Sequence, residues 1–156
     1  AWLLGHRNSY EVLPILVTQM AGACLGTVLA NIMFDLDWFQ VSEKARTGGN
    51  LWVAEVIATS GLLLIIFSLL RTNRLNQIPY VVGIYIGGAY YFTSSTSFAN
   101  PAVSIGRMLS NSFAGIRPSS VPMFIFMQLI GMVIGISITS FLFPKNRQKT
   151  VSLRDS

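Results

Sequence analysis

The residues with the most specific chemistry lie in one short stretch, SFANPA at residues 97–102. Asn followed by Pro is typical of a helix start, because the Asn side chain can accept a backbone N–H and Pro has no N–H that would lack a partner. An ordinary helix cap is one interpretation. The stretch lies, however, inside 32 uncharged residues, 75–106, and irregular backbone at membrane depth is tolerated only where it is buried in protein or lines a water-filled cavity. We therefore predict a half-helix over about residues 100–110 that points its positive end into the bilayer.

The rest of the sequence contains no set of groups typical of an enzyme. It has no His, Cys and carboxylate cluster with metal-ligand spacing, no nucleophile beside an identifiable base and no phosphate-binding loop. The single Cys24 lies in an apolar run, so the chain offers neither a disulfide nor a cysteine metal site. We therefore expect no catalytic residue, no metal and no cofactor.

The composition places these groups in a membrane. Of 156 residues, 52% are hydrophobic and 11% are charged, whereas about a quarter of the residues are charged in an ordinary soluble domain. The apolar residues form runs long enough to cross roughly 30 Å of hydrocarbon as helices. The expected fold class is therefore an all-α membrane protein, with four spans at about residues 12–34, 51–70, 78–92 and 121–143.

The Lys and Arg residues predict the orientation of these spans. The formal net charge is +5, but the basic residues lie between the apolar runs, so they indicate orientation and no nucleic-acid partner. Four spans put both chain ends on one side, which has seven basic residues against three in the opposite connections. The positive-inside rule predicts that both ends are cytoplasmic and that the protein lies in the plasma or inner membrane. The seven are Arg7, Arg71, Arg74, Lys145, Arg147, Lys149 and Arg154, and the three are Lys44, Arg46 and Arg117.

The first and fourth predicted spans share a sequence motif. Both contain QxxGxxxG, beginning at Gln19 and Gln128, which lie 109 positions apart. Small residues four positions apart let membrane helices approach closely, so the motif predicts helix packing. The glycines concerned are Gly22, Gly26, Gly131 and Gly135.

If the motif marks an internal repeat, the fold has two related halves. The first and fourth spans are then equivalent elements of these halves, and three spans per half give the halves opposite orientation in the membrane. The counterpart of Asn100 would then fall at about position −9, before the first residue, Ala1. The chain also starts without Met. We therefore expect residues 1–156 to form one domain that is truncated at its N-terminus.

These features together resemble the second half of the major intrinsic protein family, the aquaporins and aquaglyceroporins, in its bacterial form. The resemblance rests on NPA after a loop that contains Ser and Phe, on Glu55 early in the second span, and on the duplicated QxxGxxxG, and it extends from about Leu13 to Phe143. It implies an inverted-repeat helical bundle, of which this chain would hold four spans and one re-entrant half-helix. It also implies a homotetramer for the full-length protein, surrounded by membrane lipid.

The resemblance also implies roles for individual residues. Asn100 would donate its amide to a solute at the middle of the pore, while Pro101 and Ala102 would lock the half-helix against its partner from the other half. The backbone carbonyls of Ser97, Phe98 and Ala99 would line the outer path. Glu55 would be a structural buried acid, which accepts hydrogen bonds from loop backbone near the half-helix.

The sequence departs from the family at the selectivity filter. Water-selective relatives have an arginine directly after NPA, and this chain has Val103. Gly88 and Ser97 occupy two further filter positions, so the filter would be wider and less polar. Arg107, one helical turn after Val103, could supply positive charge at the outer mouth, or it could reach loop carbonyls or solvent.

The expected function is a passive channel for water and small uncharged solutes, with glycerol or arsenite as candidate solutes. An alternative is a non-conducting truncated remnant, or a half-channel that needs a second chain. The expected channel and this alternative differ in whether the residues before Ala1 include a first NPA motif.

Overall fold

The computed structural model describes residues 9–144, and this part of the chain is helical without any strand. Five of the seven basic residues that predicted cytoplasmic chain ends lie outside the described residues, namely Arg7, Lys145, Arg147, Lys149 and Arg154. The orientation therefore stays a prediction.

Five α-helices follow one another within residues 9–144. They are α1 (Ser9–Met33), α2 (Gly49–Arg71), α3 (Ile78–Phe92), α4 (Pro101–Gly106) and α5 (Val121–Leu142). Single turns of 3₁₀-helix cover Leu75–Gln77, Arg107–Leu109 and Pro118–Ser120.

Three of the described helices are long and apolar enough to cross a membrane, at Val12–Met33, Gly49–Arg71 and Pro118–Leu142. Helix α3 begins and ends at the residues predicted for the third span, but it has 15 residues. At about 1.5 Å per residue such a helix is roughly 22 Å long, which is shorter than the hydrocarbon core of a bilayer. A fourth crossing at α3 therefore stays a prediction.

Helices α2 and α5 pack closely through glycines. A Cβ added to Gly131 would lie 2.6 Å from the carbonyl oxygen of Val56, and one on Gly135 would lie 2.7 Å from that of Ser60. The absence of a side chain at these two positions lets the α5 backbone approach the α2 backbone directly.

Helix α1 has a different environment at its two motif glycines. A Cβ on Gly22 or Gly26 would meet no atom within 4 Å among the described residues, so packing at these two glycines stays a prediction. Both line an open cavity beside α1. The close contact of α1 is made instead by Ala23, whose carbonyl oxygen would lie 2.8 Å from a Cβ on Gly106 of α4.

The connections before and after α4 form a small apolar core with the start of α5. Phe98, Ile116, Val121 and Phe124 are buried together, and the rings of Phe98 and Phe124 are 5.3 Å apart. Elsewhere large apolar side chains point outward, as Tyr91 of α3 does with 90% of its surface exposed. Such exposure is expected of helices whose outer faces meet lipid.

Candidate functional site

Asn100 and Pro101 begin helix α4 through the local chemistry of the two residue types. The Oδ1 atom of Asn100 accepts the N–H of Ala102 at 2.9 Å, and its carbonyl accepts both the N–H and the hydroxyl of Ser104. Pro101 occupies the first helical position, where no N–H is needed. Because Oδ1 is used in the cap, the Nδ2 group of Asn100 is the one available to an outside partner.

A cavity of about 440 Å³ lies at this end of α4. Asn100, Pro101 and Ala99 line it, together with Thr59 of α2 and Gln128 of α5. The hydroxyl of Thr59 and the Oε1 atom of Gln128 are buried without a hydrogen-bond partner in the described chain. The cavity is therefore lined by the capping Asn and by two residues of the long helices that each have a buried polar atom without a partner among the described residues.

The loop before α4 has an unusual backbone. Thr96, Ser97 and Ala99 have φ values of 63°, 47° and 50°, in the left-handed region that costs a non-glycine residue about 1–2 kcal/mol. Ser97, Phe98 and Ala99 are almost completely buried. A loop that contains three such residues keeps this shape only if its surroundings hold it.

Glu55 of α2 provides part of this support. Its two carboxylate oxygens accept the N–H groups of Phe98 at 2.9 Å and Ala99 at 3.0 Å. The carboxylate is completely buried. Since both N–H groups belong to the loop, Glu55 binds the loop backbone where the left-handed residues of the loop cluster.

Gln128 of α5 joins Glu55 to α4. Its Nε2 group donates to a carboxylate oxygen of Glu55 at 2.7 Å and to the hydroxyl of Ser104 at 2.9 Å. Sequence reasoning treated Gln128 only as the start of a packing motif. The signal that could have found this contact is a polar side chain in the middle of an apolar span, because such a group needs an internal partner.

Val103, in the middle of α4, and Arg107, directly after its last residue, both line a cavity of about 690 Å³. The Arg107 guanidinium donates to the Thr96 hydroxyl at 3.2 Å. Its central carbon also lies 4.3 Å from the centre of the Phe98 ring and 5.8 Å from that of Tyr90. Arg107 thus contacts a loop hydroxyl and two aromatic rings, and it borders the cavity as well.

The other two residues assigned to the filter lie elsewhere. Gly88 is exposed on α3, and a Cβ there would meet only the Phe92 ring, at 3.9 Å. Ser97 is 3% exposed, and its hydroxyl has no hydrogen-bond partner within residues 9–144. Neither lines the cavity that Val103 and Arg107 share.

Arg46 is a buried residue of the site that sequence reasoning missed. It was counted only as a basic residue of the connection between α1 and α2, yet it is 4% exposed. Its guanidinium donates to the carbonyls of Gly115, Ser95 and Phe113 at 2.7, 3.0 and 2.8 Å. Burial, and then the nearby Arg107, lower the pKa of Arg46. One basic residue among several in polar connections carries no sequence signal that it turns inward.

Comparison with known proteins gives one informative match. No family model and no solved structure matches the chain. Aquaglyceroporin AqpS of Rhizobium meliloti (strain 1021) is 41% identical to it over 145 residues, which are 93% of this chain and 62% of that protein. The chain thus spans less than two thirds of the length of this curated relative.

The apolar helices and this likeness together define a class, that of proteins embedded in a membrane. Within that class, the chain is similar over 93% of its length to part of an aquaglyceroporin.

Proposed function

We propose that the chain forms part of a passive channel for water and small uncharged solutes. The observation that carries this proposal is the cap of α4, because the Asn100 oxygen is bound to Ala102 N–H and leaves the amide Nδ2 group to donate at the cavity. A donor at a helix N-terminus favours a solute hydroxyl oxygen and disfavours a cation. The name of the relative, an aquaglyceroporin, supports the same function.

Val103 gives the proposed channel its solute range. With an aliphatic side chain in place of the usual arginine, the outer cavity has an uncharged wall at this position, while Arg107 keeps one guanidinium on its border. Glycerol and arsenite, both small and uncharged, are the candidate solutes. Gly88 and Ser97, which do not line this cavity in the described chain, would be two further filter positions in the complete protein.

The proposed architecture extends the described helices to the whole protein. Helices α1, α2, α3 and α5 would be four transmembrane spans and α4 a re-entrant half-helix, all in one N-terminally truncated domain of residues 1–156. The full-length protein would be a homotetramer in the plasma or inner membrane with both ends of this chain in the cytoplasm. The channel would perform no chemical step, so no enzyme activity is proposed.

An alternative is favoured by one specific observation. The chain spans 62% of the relative's length, and both cavities beside α4 are partly open in the described chain. A half-channel that needs a second chain, or a remnant that does not conduct, would have such open cavities.

The substitution Val103→Arg tests the channel proposal. In proteoliposomes of the full-length protein, we expect glycerol permeability to fall about tenfold, which corresponds to about 1.4 kcal/mol of added barrier. Water permeability should fall much less, because a water molecule still fits beside the new side chain. Stopped-flow light scattering measures both.

Val103→Met is the matched control, since it adds similar length without charge. It should also reduce glycerol more than water if width sets the limit. Equal loss of glycerol and water permeability in Val103→Arg would contradict the assignment of Val103 to the filter.

A further inference from the structure

Arg46 connects three segments on the outer side of α4. If the proposed function holds, these contacts affect which solutes the channel passes. The Arg46 guanidinium donates to Ser95 on one side, at the start of the loop that leads into α4, and to Phe113 and Gly115 on the other, in the connection after α4. Its own backbone N–H donates to the Ser120 hydroxyl. The connection that contains Arg46 is thereby tied to both flanks of the half-helix.

All three bonds of the guanidinium end at backbone carbonyls. Bidentate or multiple contacts of this kind hold a segment in one geometry, because the guanidinium is planar and its N–H groups diverge at fixed angles. A lysine at the same place could satisfy only part of this set, since its ammonium is a single compact centre. The arrangement therefore depends on arginine and not only on positive charge.

Arg46 also reaches Arg107 through an aromatic ring. The central guanidinium carbon of Arg46 lies 4.9 Å from the centre of the Phe98 ring, and that of Arg107 lies 4.3 Å from the same centre. The backbone N–H of Phe98 donates to Glu55, and the Phe98 ring packs against the Phe124 ring. The ring is therefore fixed between an arginine that binds the loop and an arginine that borders the outer cavity.

We propose that Arg46 is a positioning residue of the outer filter. By holding Ser95 and the Phe98 ring, it keeps the left-handed residues Thr96 and Ser97 in place and fixes where the Arg107 guanidinium stands at the cavity. Val103 then determines how wide the opening is, and Arg46 determines how sharply solutes above that width are excluded. Loss of Arg46 lets the loop relax toward ordinary backbone conformations, and the size limit becomes less strict.

The test measures a ratio of permeabilities in the full-length protein. Proteoliposomes that contain the parent protein, Arg46→Met, Arg46→Lys or Lys44→Met are loaded against glycerol and against xylitol, and uptake is followed by stopped-flow light scattering. Lys44 is the matched control, because its ammonium also donates to the Phe113 carbonyl, at 2.9 Å, but makes no bond to Ser95. The ratio of the two permeabilities does not depend on how many channels are folded.

Arg46→Met is expected to raise the ratio of xylitol to glycerol permeability about fivefold, a size typical of small changes in how a site discriminates by shape. Arg46→Lys should give an intermediate ratio, and Lys44→Met should keep the parent ratio. If Arg46→Met does not fold, Arg46→Lys decides. An unchanged ratio in the Arg46 variants, with both permeabilities reduced together, would overturn the proposal.

A double-substitution cycle tests the route through Phe98. If Arg46 acts by placing Arg107, the effects of Arg46→Met and Arg107→Met on the ratio are not additive. Additive effects would contradict this route. A parent protein that passes neither glycerol nor water would refute the proposed function instead, so the two failures are distinguishable.

Discussion

At the scale of single residues, buried polar groups bind the loop before α4 from two different parts of the chain. Glu55 accepts loop N–H groups from the α2 side, while Arg46 donates to the Ser95 carbonyl from the opposite connection. A buried carboxylate is costly unless its oxygens are bonded, and here Gln128 supplies a third donor. Glu55 and Arg46 thus both bind backbone groups of the same loop.

Glu55→Gln should destabilise the protein strongly, although the substitution changes the side chain very little in size. The new amide keeps one acceptor oxygen but places an NH₂ group opposite an N–H or the Gln128 donor, so at least one buried donor loses its partner. We expect the free energy of unfolding to fall by about 3 kcal/mol, seen as a lower midpoint of thermal unfolding in detergent.

Glu43→Gln is the control for this change. It removes the same charge from an exposed position in the connection between α1 and α2, so the midpoint should hardly change. An equal shift in both variants would mean that net charge, and not the loop contacts of Glu55, causes the effect.

At the scale of helices, α1 and α5 share a motif but have different neighbours. The glycines of α5 lie against α2 backbone, while Gly22 and Gly26 of α1 face a cavity. Small residues only permit close approach, and whether a helix is there to approach depends on the rest of the fold. The same motif therefore has a structural role in one helix and lines open space in the other.

Gly131→Val should separate α5 from α2. A Cβ at this position would lie 2.6 Å from the Val56 carbonyl oxygen, which is backbone and cannot rotate away. We expect a loss of about 2 kcal/mol in the free energy of unfolding, typical of overpacking, measured by thermal unfolding in detergent.

Ser137→Val adds the same side chain to the same helix as a control. Ser137 is exposed, and its hydroxyl bonds only to the Val133 carbonyl of its own helix. This variant should unfold at nearly the parent temperature. If Gly131→Val were equally harmless, close contact between α2 and α5 would not be required for stability.

At the scale of the whole molecule, the described helices surround α4 incompletely. Two cavities, of about 690 and 440 Å³, lie beside α4, and α1 contributes exposed glycines to the larger one. Lipid would reach such open surfaces, and a lipid-exposed α4 could not retain a water path. The proposed channel would therefore need further protein beside these helices.

Residues 1–156 reconstituted alone should accordingly show no solute permeability above that of protein-free liposomes. Co-expression with a segment equivalent to the remaining part of the relative should restore glycerol uptake, measured by liposome swelling. The same pair with Asn100→Leu is the control, because it has no cap and no amide donor at the cavity. Full conduction by residues 1–156 alone would refute the need for a second part.

The sequence by itself determined the features that depend on neighbouring residues. Apolar run length identified a membrane protein and placed α2, α3 and α5 within two residues of their ends. Asn100 and Pro101 predicted the start of α4, because capping uses atoms only two to four positions along the chain. The family resemblance rested on the same local motifs.

Only the tertiary structure decided which distant groups meet. Arg46 reaches Ser95 across 49 positions, Glu55 reaches Phe98 across 43, and Gln128 reaches Glu55 across 73. Gly22 and Gly131 have the same local sequence pattern but opposite surroundings. The physical reason is that burial and pairing depend on which helices lie side by side, and one sequence does not contain that information in its spacing. The proposed filter thus combines Val103, which the local sequence motif identifies, with Arg46, which only the tertiary contacts identify.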